Sequence, residues 1–383
     1  MFLKSKRNFI QHFVTNPRNF PFLIRQCSTG SFLQYDKDPA PMFIDPKIQK
    51  LLKSLTGMDF SKIFRKKAVS HNKVDFKFMT PEQFESQVKH SAYKAKRLLQ
   101  MPPIVKILED QTRILSKDTE MDGFSDSDYV ITDISFDVKD TKRAIVVRHA
   151  NGILETAPQS IRKRVNQIYF PKEERKITVP LMFTREEYLQ RLLDNYEYQF
   201  ILDRTCIQFE PYEREFHEIT SKTYQHINKE KKFDMLRSTR HFGTMTFFLT
   251  WHKMIDDLLI DCIKRGYLRN GVELILLFHK IHGGSEEKTL EACLEKYPYQ
   301  RDIVKEYYDS MISGVNEDLH KKIDYDPEKL KEEQARDENF LKEIENFTKT
   351  HGVKKIQLEL AVQTFREEKE GKFDSMKRQK ASS

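Results

Sequence analysis

Glycine is scarce in this sequence: there are 12 in 383 residues, none grouped where a backbone could cradle phosphate, which counts against a nucleotide-dependent enzyme. The short signatures of metalloproteases, nucleophile elbows, P-loops, kinases and dinucleotide folds are absent too. Cysteine is scarcer still. Cys27, Cys206, Cys262 and Cys293 lie far apart, so they offer neither a disulfide framework nor the paired spacing of a zinc site. As isolated small hydrophobes they suit a reducing compartment. No stretch approaches the roughly 20 apolar residues of a membrane span, so no membrane partner is expected. These absences weigh against catalysis without excluding it, and they call for no cofactor and no small-molecule substrate.

Acidic residues are missing from the first 35 positions, where Lys4, Lys6, Arg7, Arg18 and Arg25 are interleaved with Phe2, Leu3, Phe9, Ile10, Phe13, Val14, Phe20, Phe22, Leu23 and Ile24. Basic and apolar residues mixed in this way, without the single apolar block of a secretory signal, form the pattern of an amphipathic mitochondrial transit segment. Arg25-Gln26-Cys27 ahead of Ser28 suits a matrix-protease cut, which places the rest of the chain in the mitochondrial matrix; a basic disordered tail is the competing reading. The formal charge of +8 shrinks accordingly, because without those five cations 61 basic residues face 58 acidic ones, leaving +3. Any affinity for nucleic acid must therefore come from local patches and not from a globally basic protein.

Hydrophobic residues make up 38% and charged residues 32% of the chain, a balance that suits globular regions with a large wetted surface. Asp45 before Pro46 reads as an N-cap with proline in the first turn, and Gly57 as the stop. Ile48, Leu51, Leu52 and Leu55 supply that helix with one apolar face. Thr80-Pro81-Glu82-Gln83 reads as a capping box. The helix it opens has Phe84, Val88, Ala92, Ala95 and Leu99 on its apolar side, Lys89, Lys94, Lys96 and Arg97 on the other, and Pro102-Pro103 as its stop.

Between Tyr129 and Thr156 the period changes. Ile134, Phe136 and Val138 alternate with polar neighbours, Ile145-Val146-Val147 is a β-branched run, and Asn151-Gly152 signals a type I′ hairpin. A helix over 160–168 would turn Ile161, Val165 and Ile168 inward. From a capping box at Thr184 to Glu187 the 3.6-residue period dominates to about residue 313. Within that span Val272–Ile281 should be central, and Met254–Ile263 and Ile303–Ile312 form apolar stripes. After residue 315 dense charge reads as a solvated or partner-facing helix, while Ile356, Leu358, Leu360 and Val362 fit either a strand or a helix face.

The expected class is α+β: a small antiparallel sheet region followed by a mainly α-helical domain, with extended N- and C-terminal segments. The divisions are a transit peptide at 1–27, an extension with docking helices at 28–125, a small α+β domain at 126–183, a helical domain at 184–314 and a charged extension at 315–383.

His279 and His282 are three apart at a helix end but lack neighbouring Cys or carboxylate ligands, so they read as surface or capping residues. Asp256, Asp257 and Asp261 precede Lys264 and Arg265 and read as ion-pair partners, not as catalytic acids. Basic clusters mixed with aromatics are the better signal, since RNA needs cations at its phosphates and planar side chains for stacking. Arg162-Lys163-Arg164 runs into Tyr169-Phe170-Pro171-Lys172 and Arg175-Lys176. A second cluster holds Lys229, Lys231, Lys232, Phe233, Arg237, Arg240, His241 and Phe242. The candidate rRNA contacts are Arg162, Lys163, Arg164, Lys172, Arg175, Lys176, Arg237 and Arg240, against the even alternative of a solvated or salt-bridged surface.

The same clusters carry a resemblance. Gln167-Ile168-Tyr169-Phe170-Pro171-Lys172-Glu173-Glu174-Arg175-Lys176-Ile177 and Asp234-Met235-Leu236-Arg237-Ser238-Thr239-Arg240-His241-Phe242-Gly243 resemble the mitochondrial small-ribosomal-subunit protein twenty-two family. Met101-Pro102-Pro103, Thr132-Asp133-Ile134-Ser135, Ile145-Val146-Val147-Arg148, Gln208-Phe209-Glu210-Pro211 and Leu258-Leu259-Ile260-Asp261 agree with it in order, over roughly 42–281. The resemblance implies a mitochondria-specific ribosomal protein, structural and without enzyme activity, contacting mitochondrial small-subunit rRNA and neighbouring small-subunit ribosomal proteins. The chain departs from the family pattern from Gly283 onward. Two other readings compete: a free mitochondrial RNA-binding or ribosome-assembly factor, which would share the leader and the patches, and a matrix enzyme subunit, which would need polar residues converging in a pocket.

Overall fold

The computed structural model describes residues 10–15, 32–64, 78–110, 112–123, 125–284, 286–298 and 327–381. In chain order the elements are β1 (Ile10–Thr15), α1 (Ala40–Ile44), α2 (Pro46–Thr56), α3 (Phe60–Ile63), α4 (Pro81–Leu98), β2 (Ile114–Lys117), β3 (Asp128–Asp133), β4 (Ile145–Arg148), β5 (Ile153–Thr156), α5 (Gln159–Tyr169), α6 (Leu181–Thr184), α7 (Glu186–Asp194), α8 (Tyr198–Gln208), α9 (Arg214–Glu230), α10 (Phe242–Trp251), α11 (Asp256–Lys264), α12 (Leu268–His282), α13 (Glu287–Lys296), α14 (Pro327–Thr350) and α15 (Lys355–Ala381). The class is α+β, a small antiparallel sheet in a mostly helical chain. The chain alternates between two compact units. One takes the described residues within 1–31, 107–191 and 207–214, and the other those within 32–106, 192–206 and 215–383.

In the first unit the sheet order is β1-β3-β4-β5-β2, and every neighbouring pair is antiparallel. Val130, Ile145, Val147 and Ala157 form its core, covered by Ile161 and Val165 of α5. Ile168, expected inward, is instead 49% exposed at the end of that helix. β1 lies on the edge of β3, Ile10 opposite Asp133 and Thr15 opposite Asp128, although its residues fall within the segment read as a leader.

The alternating Ile134, Phe136 and Val138 do not form a strand. β3 ends at Asp133, and the following loop wraps the buried Arg143, whose guanidinium donates to the carbonyls of Asp133 (3.0 Å), Ser135 (2.7 Å) and Val138 (2.8 Å). Three carbonyls satisfied by one side chain replace the ladder that a strand would have made. Phe136 is left exposed and packs edge-on against Phe170.

The β4–β5 hairpin sits where Asn151-Gly152 placed it, but its turn is not type I′. Only Gly152 has a positive φ, +79°. Its N–H donates to the His149 carbonyl at 3.0 Å, and the His149 N–H donates to Ile153 at 2.8 Å. That is the longer hairpin loop, a four-residue turn closed by one left-handed glycine.

In the second unit the local helix signals operate as expected. Asp45 accepts from the Lys47 amide at 2.8 Å, and Gly57 leaves α2 with φ +70°. Thr80 and Gln83 complete the capping box in both directions. α12 is the central helix, packing on α2, α10, α11, α13 and α14, which is why Val272–Ile281 tolerates apolar residues nearly all round.

The charge-rich C-terminal part departs from the expectation of a solvated helix. Phe340, Leu341, Ile344 and Phe347 of α14 are buried, as are Leu358, Ala361, Val362 and Phe365 of α15. Ile356 and Leu360 stay exposed, so the ambiguous alternation there is one helix seen from two sides. The Asp256 carboxylate accepts the amides of Val353 (2.8 Å) and Lys354 (2.7 Å) just ahead of α15. The Ile303–Ile312 stripe lies outside the described residues. Among the described residues no helix is long and apolar enough to cross a membrane.

Candidate nucleic-acid interface

The first basic cluster is built on α5 and on the chain that follows it. One face of α5 holds Ile161 and Val165 against the sheet, which pushes Arg162, Lys163 and Asn166 to its flank. Together with Lys172 and Arg175 they line a polar cleft whose other walls are Asp140, Glu210, Tyr212 and Glu213. The structure thus gathers four of the expected cations, but it gathers carboxylates with them. Lys163 pairs with Glu213 and sits 4.6 Å from the centre of the Phe209 ring. Lys172 pairs with Glu210 and, at 3.5 Å, with Asp140. Arg175 reaches Glu210 at 2.8 Å and the Ile207 carbonyl at 2.9 Å.

Arg162 donates to the carbonyls of Thr141 and Arg143, and burial lowers its pKa. Burial pushes the Glu210 carboxyl up, but Lys172 and Arg175 outweigh that and hold it below the usual carboxylate range. A polyanion arriving here would meet cations already neutralised at short range. Arg164, Lys172 and Lys176 are the exposed members of this cluster.

In the second cluster the arginines and the rings turn toward the protein, while Lys229, Lys231 and Lys232 stay exposed. Arg237 is buried and holds Asp261 at 2.8 Å. Arg240 and the buried His241 share Asp203, at 2.9 and 3.0 Å. Phe233 and Phe242, which a stacking platform would expose, are core residues. Arg162, Lys163, Lys172, Arg175, Arg237 and Arg240 therefore spend hydrogen bonds or ion pairs on the protein itself.

The other polar groups singled out also resolve into structural contacts. Asp257 pairs with Lys354 and Lys231, and Asp261 with Arg237 and Arg265. His282 shares a 2.9 Å hydrogen bond with the Thr250 carbonyl. His279 is buried, not at the surface, and burial holds it below its ordinary pKa. Among the described residues no three His, Cys, Asp or Glu side chains are grouped as a metal site. What the sequence reading missed is the acceptors. Asp140, Asp203, Glu210 and Glu213 each lie at least 32 residues from some cation they neutralise, beyond any local spacing rule, while Asp261, read as an ion-pair partner, does pair with Arg265.

Charge reversal separates the two kinds of cation. Lys163→Glu would set a second carboxylate beside the largely buried Glu213 and is expected to destabilise the fold by about 2 kcal/mol. Lys176→Glu, on an exposed side chain, should stay within about 0.5 kcal/mol. Calorimetric melting of both variants decides, and equal melting temperatures would show that Lys163 is not structural.

Comparison with known proteins supplies the remaining observation. Residues 41–283 match the family model described as Mitochondrial 28S ribosomal protein S22. The chain is 36% identical over 275 residues to the Bos taurus protein named Small ribosomal subunit protein mS22, covering 71% of this chain and 75% of that one. It is 35% identical over 257 residues to the Mus musculus protein of the same name, covering 67% and 71%. With several separate motifs in order and a match running through both compact units, the chain belongs to the mitochondrial 28S ribosomal protein S22 family.

Proposed function

We propose that this chain is a structural, non-catalytic constituent of the small subunit of the mitochondrial ribosome, working in the matrix, where it joins small-subunit rRNA to neighbouring ribosomal proteins. The family match over 41–283 carries this reading. The electrostatics support it from the other side. A chain with +3 beyond its first 35 residues, whose arginines and lysines largely neutralise its own carboxylates, is built to touch RNA over a limited face and to give most of its surface to protein neighbours. Residues 1–27 act as the import segment. Among the expected rRNA contacts, Arg164, Lys172 and Lys176 have the exposed side chains that an arriving phosphate reaches first, whereas Arg162, Lys163, Arg175, Arg237 and Arg240 serve chiefly to fix the surface that carries such contacts.

Sedimentation of a gentle mitochondrial lysate, with and without ribonuclease, tests the proposal. The expected result is stoichiometric co-migration with small-subunit rRNA that is lost on RNA digestion. A peak confined to the light fractions would overturn it in favour of a free RNA-binding or assembly factor, or of a matrix enzyme subunit.

A further inference from the structure

Helix α4 has the charge pattern that the two aromatic-rich clusters lack. From Ser86 to Leu108 the sequence contains Lys89, Lys94, Lys96, Arg97 and Lys106 and no Asp or Glu, the longest acid-free stretch after the first 35 residues. At 100° per residue, Lys96, Lys89, Tyr93, Arg97, His90 and Lys94 fall in that angular order over less than half of the helix circumference. All six are exposed, and the Tyr93 ring is 62% accessible. The opposite face carries Val88, Ser91, Ala92 and Ala95, all buried. There the small Ala92 and Ala95 pack on Phe60, with Met58, Ile63 and Phe64 alongside. The buried side thus sets the helix rotation and directs the cations outward.

Their chemistry contrasts with that of the other clusters. Lys89 approaches Glu85 at 3.8 Å, with both side chains mostly solvated, a contact of little consequence. No ion pair is found for Lys94, Lys96 or Arg97 among the described residues. From Lys89 to Arg97 the row is about 12 Å long.

We propose that this face of α4 is a docking surface for the phosphate backbone of RNA, with Tyr93 available to stack on an unpaired base. A row of exposed cations attracts a polyanion, Glu85 beside Lys89 being the one carboxylate paired with the row among the described residues, and the central aromatic side chain matches the way exposed bases are held. The inference rests on the ribosomal reading for the identity of the RNA and assigns the contact to a surface separate from the eight cations discussed above.

The test uses the full chain and a transcript of mitochondrial small-subunit rRNA as probe, with affinity measured across a series of KCl concentrations. In one variant Lys89, Lys94, Lys96 and Arg97 are all changed to Gln, a residue that keeps helix propensity. The plot of log affinity against log salt should become shallower by about 3, and affinity near 100 mM KCl should fall at least tenfold, since each phosphate contact contributes about 0.7 to 0.9 to the slope. Tyr93→Ala should weaken binding severalfold with the slope unchanged. Independently of any variant, acetylation of Lys89, Lys94 and Lys96 in the parent chain should slow when the transcript is bound. An unchanged slope with no protection of these lysines overturns the proposal. If that result comes with normal sedimentation in the small subunit, the ribosomal reading stands and the face belongs to an acidic protein neighbour. If it comes with sedimentation in light fractions, both fail.

Discussion

Replacing Gly152 with valine is expected to open the β4–β5 hairpin and to cut the hydrogen-exchange protection of its amides by more than about a hundredfold, a loss near 3 kcal/mol. Two effects combine. At φ +79° a β-branched residue is strained, at a cost of about 1–3 kcal/mol. In addition, a Cβ placed there would lie 1.8 Å from the Asp118 carbonyl oxygen, so backbone must move. Asp118 cannot simply yield, because its own N–H donates to the Gly152 carbonyl at 3.0 Å and so ties β2 to the hairpin. Gly123→Val separates the two terms, since Gly123 has φ +78° but open space around its Cβ position. It should show the strain alone. Equal loss of protection in both variants would mean that the Asp118 approach contributes nothing.

The hairpin also shows how far local sequence reaches. Asn151-Gly152 placed the turn correctly, because positive φ is a property of the glycine itself. It misassigned the turn type, because the loop is shaped against Asp118, 34 positions earlier. The caps of α2 and α4 were legible for the same local reason: Asp45 and Thr80 act on amides two and three residues away. Ile134, Phe136 and Val138 misled, since alternation says nothing about an Arg143 that collects three carbonyls. The basic clusters misled in a related way. A cation can be read from one residue, but whether it is available to RNA depends on acceptors such as Glu213, 50 residues from Lys163. The α4 face was visible as Lys89, Lys94, Lys96 and Arg97 opposite an apolar side. Its distinguishing feature, a run from Ser86 to Leu108 without Asp or Glu, carries no motif.

Phe347→Ala should be among the most damaging single changes in the helical unit, costing about 3–5 kcal/mol as a buried aromatic truncation. Phe347 lies on α14, in the part of the chain whose charge density suggested a solvated extension, yet it is 1% exposed. Its ring meets Phe278 of the central helix edge-on, with centroids 5.2 Å apart, and stacks with His351 at 5.5 Å. The packing beside it is tight as well: a Cβ on Gly271 would come within 3.2 Å of the Ile344 side chain. The truncation would therefore remove an aromatic ring between close-packed helices and leave a cavity they cannot readily collapse into. Trp251 is the single tryptophan and belongs to the same unit, so its fluorescence during urea unfolding reports the effect. The midpoint should fall by about 1 M or more. Ile356→Ala, at an 82% exposed position on α15, should shift it by far less, corresponding to no more than about 0.5 kcal/mol. If the two variants unfold alike, α14 lies outside the cooperative core. If they differ as expected, its charged positions are the solvent side of a core helix, and removing it would destabilise the unit that carries α4.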